Sequence, residues 1–463
     1  MRKLKIDEIF KIGGLYFTEK DIDIEIEQSI DEGKNINRVK KDFNRIKKLL
    51  KEKKNIELQN EINALFDRCF KLPTKKTYKY KEPLKFEEIK KEWRELNFEK
   101  KNIPDDIIKD KIYGGWYGRC AGCLLGKPIE GWTKEKIENY LKDTNQFPLK
   151  FYIRSDFDQE LIKKYGISKD RPFINNIKYM VEDDDLNYTV FALLVIERFG
   201  NKFTSYDYAR TFLERIPILK TYTAERISYK NLVNLISPEI SANFRNPYRE
   251  WIGAQIRADF YGYINPGMPE KAVELVYKDA SVTHIKNGIY GAMFVSAMLS
   301  ISFCESDRYK IIKEALNFIP NKSRLFERIS EIIYYWEKGI DYEEVSNYIH
   351  KKWNERNLHH WCHVISNAEI VVVGLLWGMG NFGESICKAV QVGFDTDCNG
   401  ATTGSIMGTI LGKKNLPEEW IIPLNDTLET GISNFSKIKI SELAERTYKI
   451  YKKLKEEEEN GKS

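Results

Sequence analysis

Two acidic stretches of this chain have the composition to do chemistry. "VEDDDLNYTVFALLVIERFG" carries Glu182, Asp183, Asp184 and Asp185 ahead of an almost wholly apolar run from Val190 to Ile196. "GFDTDCNGATTGSIMGTILG" carries Asp395 and Asp397 directly before an apolar, glycine-rich segment. A helix with no polar face must be buried, so the acids at its start stand at or near the core. A single Asp before a helix is an ordinary cap, and acids in the first turn suit the helix dipole. Four consecutive acids exceed that need. Two carboxylates ~4 Å apart repel by ~4 kcal/mol at an effective dielectric of 20. If the two clusters meet, a cation must sit between them. A lysine or arginine would serve, but none is read within the motifs themselves. A divalent cation serves better, because all the candidate donors are oxygens, which select Mg2+, Mn2+ or Ca2+ over Zn2+. With five or six carboxylates on hand, two metals are expected rather than one.

The elements that must position these acids are helices rich in glycine. Gly400, Gly404, Gly408 and Gly412 stand four residues apart, which places them on one helix face. "YGGWYGRCAGCLLGKPIEGW" repeats the device at Gly114, Gly118, Gly122 and Gly126. Glycine costs a helix ~1 kcal/mol relative to alanine, so two such ladders need a reason. Close packing of the two helices at the centre of a bundle supplies it. Each ladder has acids near one end: Asp395 and Asp397 before the second, Glu130 after the first.

Residues 106–455 read as one large all-α domain. Segments 187–199, 285–301, 366–379 and 400–411 are long and periodic enough for helices, Gly200 is a C-cap, and strand signals are few. Residues 1–105 read as a charged helical accessory segment with two apolar stripes: Val39, Phe43, Ile46 and Leu49 or Leu50, then Ile62, Leu65, Phe66 and Cys69. It is either a cap packed on the main domain or a separate partner-binding module. "KLPTKKTYKYKEP" reads as a linker, and residues 456–463 as a solvated tail. The net charge of +6 comes from lysines spread among nearly as many acids, so no concentrated nucleic-acid face is expected. Seven scattered cysteines are not needed as disulfides in a chain this long. The start "MRKLKIDEIFKIGG" lacks a signal-peptide apolar region, and no run reaches the ~18 apolar residues of a membrane span. A cytoplasmic protein is expected, with no membrane partner.

"EDDD" before a buried helix, "GFDTDCNGA" before a ladder helix and "GRCAGCLLGKPIEG" upstream together resemble the ADP-ribosylglycohydrolase family, which includes the dinitrogenase-reductase-activating glycohydrolases. The resemblance spans roughly residues 111 to 415, with the three motifs in the family's order. "YTAERISYKNL", "NPYREWIGAQIRADFYGYINPG", "DASVTHIKNGIYGAMF" and "HVISNAEIVV" also look like one bacterial branch of it. The resemblance implies a multi-helix bundle with two divalent cations, Mg2+ or Mn2+. Asp183 and Asp184 match the family's paired metal-binding aspartates, and Glu182 stands where a threonine ligand is usual. Asp395 and Asp397 match the second acidic pair, Cys398 stands where Ser or Thr completes the site, and Glu130 matches an acid that reaches metals or substrate. The expected ligands are therefore Glu182, Asp183, Asp184, Asp395, Asp397 and Cys398, with Glu130, Asp183 and Asp397 catalytic. A thiol is a soft ligand and poor for Mg2+, so Glu182 is expected to supply the missing oxygen.

The implied activity is metal-dependent hydrolysis of a glycosidic bond between ADP-ribose and a modified protein, nucleic acid or small molecule. The alternatives are an inactive ADP-ribose-binding or structural relative, and a hydrolase of another ribosyl or nucleotide compound. His284 resembles a family position near the substrate, and is otherwise a core histidine. His363 and Asn367, four apart, would line an adenosine pocket or cap a packing layer. Arg257 and Asp259 are expected to form an internal ion pair, the alternative being that Arg257 meets a pyrophosphate. Cys120 and Cys123 form a CxxC inside a ladder and carry no zinc reading.

Overall fold

The computed structural model describes residues 12–52, 56–95, 98, 101–168 and 170–461. Helices dominate it, and the only named strands among the described residues are the antiparallel pair Thr427–Ile432 and Phe435–Lys439. The four expected core helices are Asp184–Phe199, Asn287–Ser302, Val364–Trp377 and Thr396–Leu411. Each is buried over nearly its whole length. Gly200 ends the first of them in a left-handed backbone, φ 68°, which favours glycine.

The ladders meet each other. Helix Asp105–Gly126 crosses helix Thr396–Leu411 antiparallel, rung against rung. A Cβ on Gly122 would lie 1.9 Å from the Gly400 carbonyl oxygen, one on Gly118 2.2 Å from that of Gly404, and one on Gly114 2.1 Å from that of Gly408. At the lower end Gly126 faces Thr396, whose Oγ1 donates to the Gly126 carbonyl at 2.9 Å. Backbone touches backbone along the crossing, which no side chain would allow.

The accessory segment is not set apart from the rest. Ile22, Phe43, Ile46, Ile62, Leu65 and Phe66 belong to the same continuous core as the glycine-ladder helices. Helix Glu19–Asp31 also places acids on buried partners of the main domain. Arg249 donates to Glu25 and Glu32, each at 2.6 Å, and Gln28 donates to Glu250 at 2.7 Å. The expected linker is a strap held down along its length: Lys81 N donates to the Lys322 carbonyl, and Glu82 accepts from both Arg324 and Asn287. The expected tail is helical at its start, since the last helix, Ile440–Glu459, runs into it. The leader reading of residues 1–11 lies outside the described residues. No helix among the described residues is long and apolar enough to cross a membrane.

Candidate metal-binding and catalytic site

Three chain segments deliver the site. The first is the end of helix Asp105–Gly126, which passes into the short turn Lys127–Ile129 and then Glu130. The second is the start of helix Asp184–Phe199, where Asp183 is the N-cap and accepts from Asp185 N at 2.8 Å. The third is the start of helix Thr396–Leu411. Gly393 and Phe394 precede it in left-handed conformation, φ 91° and 57°, a strained turn for phenylalanine. Trp361 Nε1 donates to the Phe394 carbonyl at 2.8 Å and holds that turn. The ladder crossing makes Gly126 and Thr396 neighbours, so Lys127 and Asp397 are neighbours too.

The acids meet around a lysine. Lys127 Nζ lies 2.6 Å from Asp183 Oδ2, 2.9 Å from Glu130 Oε2 and 3.1 Å from Asp397 Oδ2. The cation that the repulsion argument demands is thus present in the chain, inside "GRCAGCLLGKPIEG", where no cation was expected. Lys127 stands one residue past the last rung of the other ladder, far from both acidic helix starts in sequence, so adjacency along the chain does not reveal it. Burial would raise Asp183, but Lys127 holds its carboxyl below the usual range. Burial and then Asp183 push Asp184 up; burial and then Asp397 push Asp395 up. Asp397, then burial, brings Glu130 to about 7. Asp397 Oδ1 is buried with no protein partner, an exposed lone pair in chemical terms though closed to bulk water.

Asp185 was left out of the expected ligand set, and the structure brings it in. Its carboxylate lies within 4.8 Å of ligand atoms of Asp183 and Cys123. Cys398 Sγ donates to Asp185 Oδ2 at 3.2 Å. Burial, then Asp185, pushes that thiol well up, so it is a neutral donor. Arg119, fully buried, joins Asp185 Oδ1 at 3.3 Å and Asp259 at 3.0 Å. Cys362 Sγ points at Asp395 Oδ2, 3.7 Å away. Asp395, Asp397 and Cys398 form a second group within 4.8 Å.

Glu182 turns elsewhere. Its Oε2 pairs with Lys220 at 2.6 Å and its Oε1 accepts from Asn187 at 2.8 Å, in a partly exposed setting. Asn367 supports the second acidic turn rather than opening a pocket: its Oδ1 accepts from Asp395 N at 3.3 Å and Asn399 Nδ2 at 2.8 Å. His363 caps helix Val364–Trp377, its Nδ1 accepting from Ile365 N. The Nε2 of His363 therefore carries the proton and faces Asp31 at 3.8 Å. The neighbouring His359 does likewise. Trp251 Nε1 donates to its Nδ1, so its Nε2–H donates to Asp31 Oδ2 at 3.0 Å. Asp31, His359 and His363 are close enough to suggest a metal, but both histidines present N–H groups to the carboxylate, which a metal ligand does not. They fasten the accessory helix instead. Against burial, the His359 hydrogen bond and then Arg324 hold Asp31 down at about 2.

His284 joins a buried cluster around Arg257. Its Nδ1 meets Thr283 Oγ1 at 2.8 Å, and Arg257 Nη2 donates to the same hydroxyl. Arg257 pairs with Glu225 and, at 2.6 Å, with Asp279. It does not pair with Asp259, whose partner is Arg119; the two neighbours in "IRAD" point into different clusters. Cys69, Cys120, Cys123, Cys362, Cys387 and Cys398 are in no disulfide.

A search of the curated proteins finds no match. A solved structure titled "ADP-ribosylglycohydrolase-related protein complex" is similar at a TM-score of 0.46 and 16% identity, covering 75% of this chain and 99% of that one. The family model described as ADP-ribosylglycohydrolase matches residues 104–459, a span that begins at the first ladder helix, takes in Lys127, both acidic helix starts and the paired strands, and ends with the last helix. The chain belongs to the ADP-ribosylglycohydrolase family.

Proposed function

We propose that this chain is a metal-dependent hydrolase that cleaves the glycosidic bond between ADP-ribose and a modified target. The observation that carries the reading is the convergence of Asp183, Asp184, Asp395, Asp397 and Glu130 from three segments, with Asp397 Oδ1 buried and unpartnered. The donors are carboxylate oxygens, which fit Mg2+ or Mn2+; Asp183, Asp184, Asp395 and Asp397 would hold the metal. When bound, such a cation orients a ribose diol and acidifies a water.

The remaining chemistry belongs to the chain. Glu130 is the partly exposed acid of the cluster, while the Asp183 and Asp397 side chains are almost wholly buried. A carboxyl poised near 7 both accepts and donates a proton at neutral pH. Glu130 takes the proton of the attacking water or returns it to the leaving group. Asp183 and Asp397 supply negative charge facing an oxocarbenium-like ribose. The targets in view are ADP-ribosylated protein, nucleic acid or small molecule. Six thiols outside any disulfide, Cys69, Cys120, Cys123, Cys362, Cys387 and Cys398, fit a cytoplasmic setting.

The test is a panel of ADP-ribosylated substrates incubated with Mg2+, Mn2+ or EDTA and scored for free ADP-ribose. Release that EDTA abolishes supports the reading. Tight binding of ADP-ribose with no release from any substrate replaces it with a non-enzymatic, ADP-ribose-binding role.

A further inference from the structure

Lys127 is not a surface lysine that happens to lie near acids. Its backbone is set by the ladder crossing, through Gly126 against Thr396 and the 2.9 Å bond from Thr396 Oγ1 to the Gly126 carbonyl. Its ammonium donates to Glu130 Oε2 at 2.9 Å and to Asp397 Oδ2 at 3.1 Å and forms an ion pair with Asp183 Oδ2 at 2.6 Å, so carboxylate oxygens from three segments converge on it. Three converging carboxylate oxygens with nothing between them but a positive charge make a cation position. An ammonium already fills it. A divalent ion coordinating the same oxygens at ~2.1 Å would have to expel the lysine or share its oxygens with it. What the lysine leaves free is Asp397 Oδ1, which is buried without a protein partner; the Asp397 carboxylate stands within 4.8 Å of ligand atoms of Asp395 and Cys398.

We propose that Lys127 is a tethered substitute for one of two metal ions, so that this protein takes a single divalent cation, at Asp395 and Asp397, whose carboxylate oxygens lie within 4.8 Å of one another. The inference rests on the metal reading above. It makes the lysine a positioning residue: it keeps Asp183, Asp397 and Glu130 together whether or not metal is bound. A second cation enters only when the ammonium is removed.

The experiment is Mn2+ binding to the full chain, read as stoichiometry by equilibrium dialysis and by the paramagnetic signal of free Mn2+. The wild type is expected to bind one Mn2+ per chain and Lys127→Met two. In EDTA the melting temperature of Lys127→Met should fall, because the carboxylates have lost their counter-charge. Added Mn2+ should raise it by more than it raises the wild type, a readout independent of catalysis. Two Mn2+ per wild-type chain overturn the inference and leave the metal reading standing; this result does not depend on the variant folding. One Mn2+ in both proteins also overturns it. No Mn2+ in either removes the metal reading and the inference with it.

Discussion

Asp397 divides its two oxygens between opposite tasks. Oδ2 meets the Lys127 ammonium, and Oδ1 is buried with nothing to bond. Asp397→Asn should keep the fold, because it removes one charge from a cluster of like charges, and should abolish ADP-ribose release. A thermal melt beside the activity assay checks this; unfolding in metal-free buffer would make the acid structural. Cys398 and Glu182 give a paired prediction. The thiol donates to Asp185, a role that a hydroxyl fills, so Cys398→Ser should hold or tighten Mn2+ binding. Glu182 is occupied by Lys220 and Asn187. An ion pair of that exposure contributes about 0–1 kcal/mol, so Glu182→Thr should change Mn2+ affinity by less than about fivefold. Calorimetric titration of both variants decides it. Asp183, Asp184, Asp395, Asp397 and Glu130 could all be found in the sequence, because acids placed against apolar helices advertise a cost. Lys127 and Asp185 could not be sorted: their partners come from segments far away in the chain.

The paired helices were the most readable elements, and the reason is steric. Glycine at every fourth position has no use on an isolated helix, so it signals a partner backbone. The sequence does not say which partner, nor that the two run antiparallel. Alanine for glycine in an open helix gains ~1 kcal/mol. At Gly122 the sign reverses, because the added Cβ would stand 1.9 Å from the Gly400 carbonyl oxygen. Overpacking of this kind costs about 1–3 kcal/mol and more where backbone must move, so Gly122→Ala should be destabilised by about 3 kcal/mol or more. Urea unfolding measures the change, and a neutral result would mean that the helices part without cost. The small sheet was missed because its strands, Thr427–Ile432 and Phe435–Lys439, are short and the bulge between Glu429 and Ile432 interrupts their pairing.

At the scale of the molecule, the accessory segment is where sequence and structure differ most. Its stripes of apolar residues were visible, but a buried ion pair has no local signature. Glu25 and Arg249 are 224 residues apart. A truncation lacking residues 1–100 was the natural way to isolate the site, since every motif lies beyond Lys111. The structure argues otherwise: it would uncover Arg249, Glu250 and Arg324 together. Breaking one side of a buried pair costs about 3–5 kcal/mol, so Arg249→Ala should show a loss of that size and the truncation should be insoluble. Soluble, metal-binding protein from residues 101–463 would refute this. The buried histidines add one component to the pH response. Burial, then Arg257, holds His284 well below its ordinary value; burial, then His359, does so for His363. Their folded values lie below the unfolded one, so the stability they confer is complete above pH ~6.5 and is lost as pH falls beneath it, at up to about 1.4 kcal/mol per pH unit for each histidine. The raised carboxyls of Asp184, Asp395 and Glu130 act in the opposite sense. The check is therefore the difference between melting curves of the wild type and His363→Asn from pH 7.5 to 5, in which the wild type should lose more stability as pH falls.

The glycine crossing also behaves like a keyed joint. Rungs repeat every four residues, so the two helices can interlock in one position or one full notch away, and nowhere between. A notch is four residues, about 6 Å of helix, and it would carry Gly126 and Lys127 past Thr396 and beyond reach of Asp397. The Thr396 hydroxyl on the Gly126 carbonyl marks the correct notch at the very end that carries the acids. Errors in this site should therefore come in whole steps: a chain assembled one notch out keeps its helices and its compactness and has no ammonium among its acids.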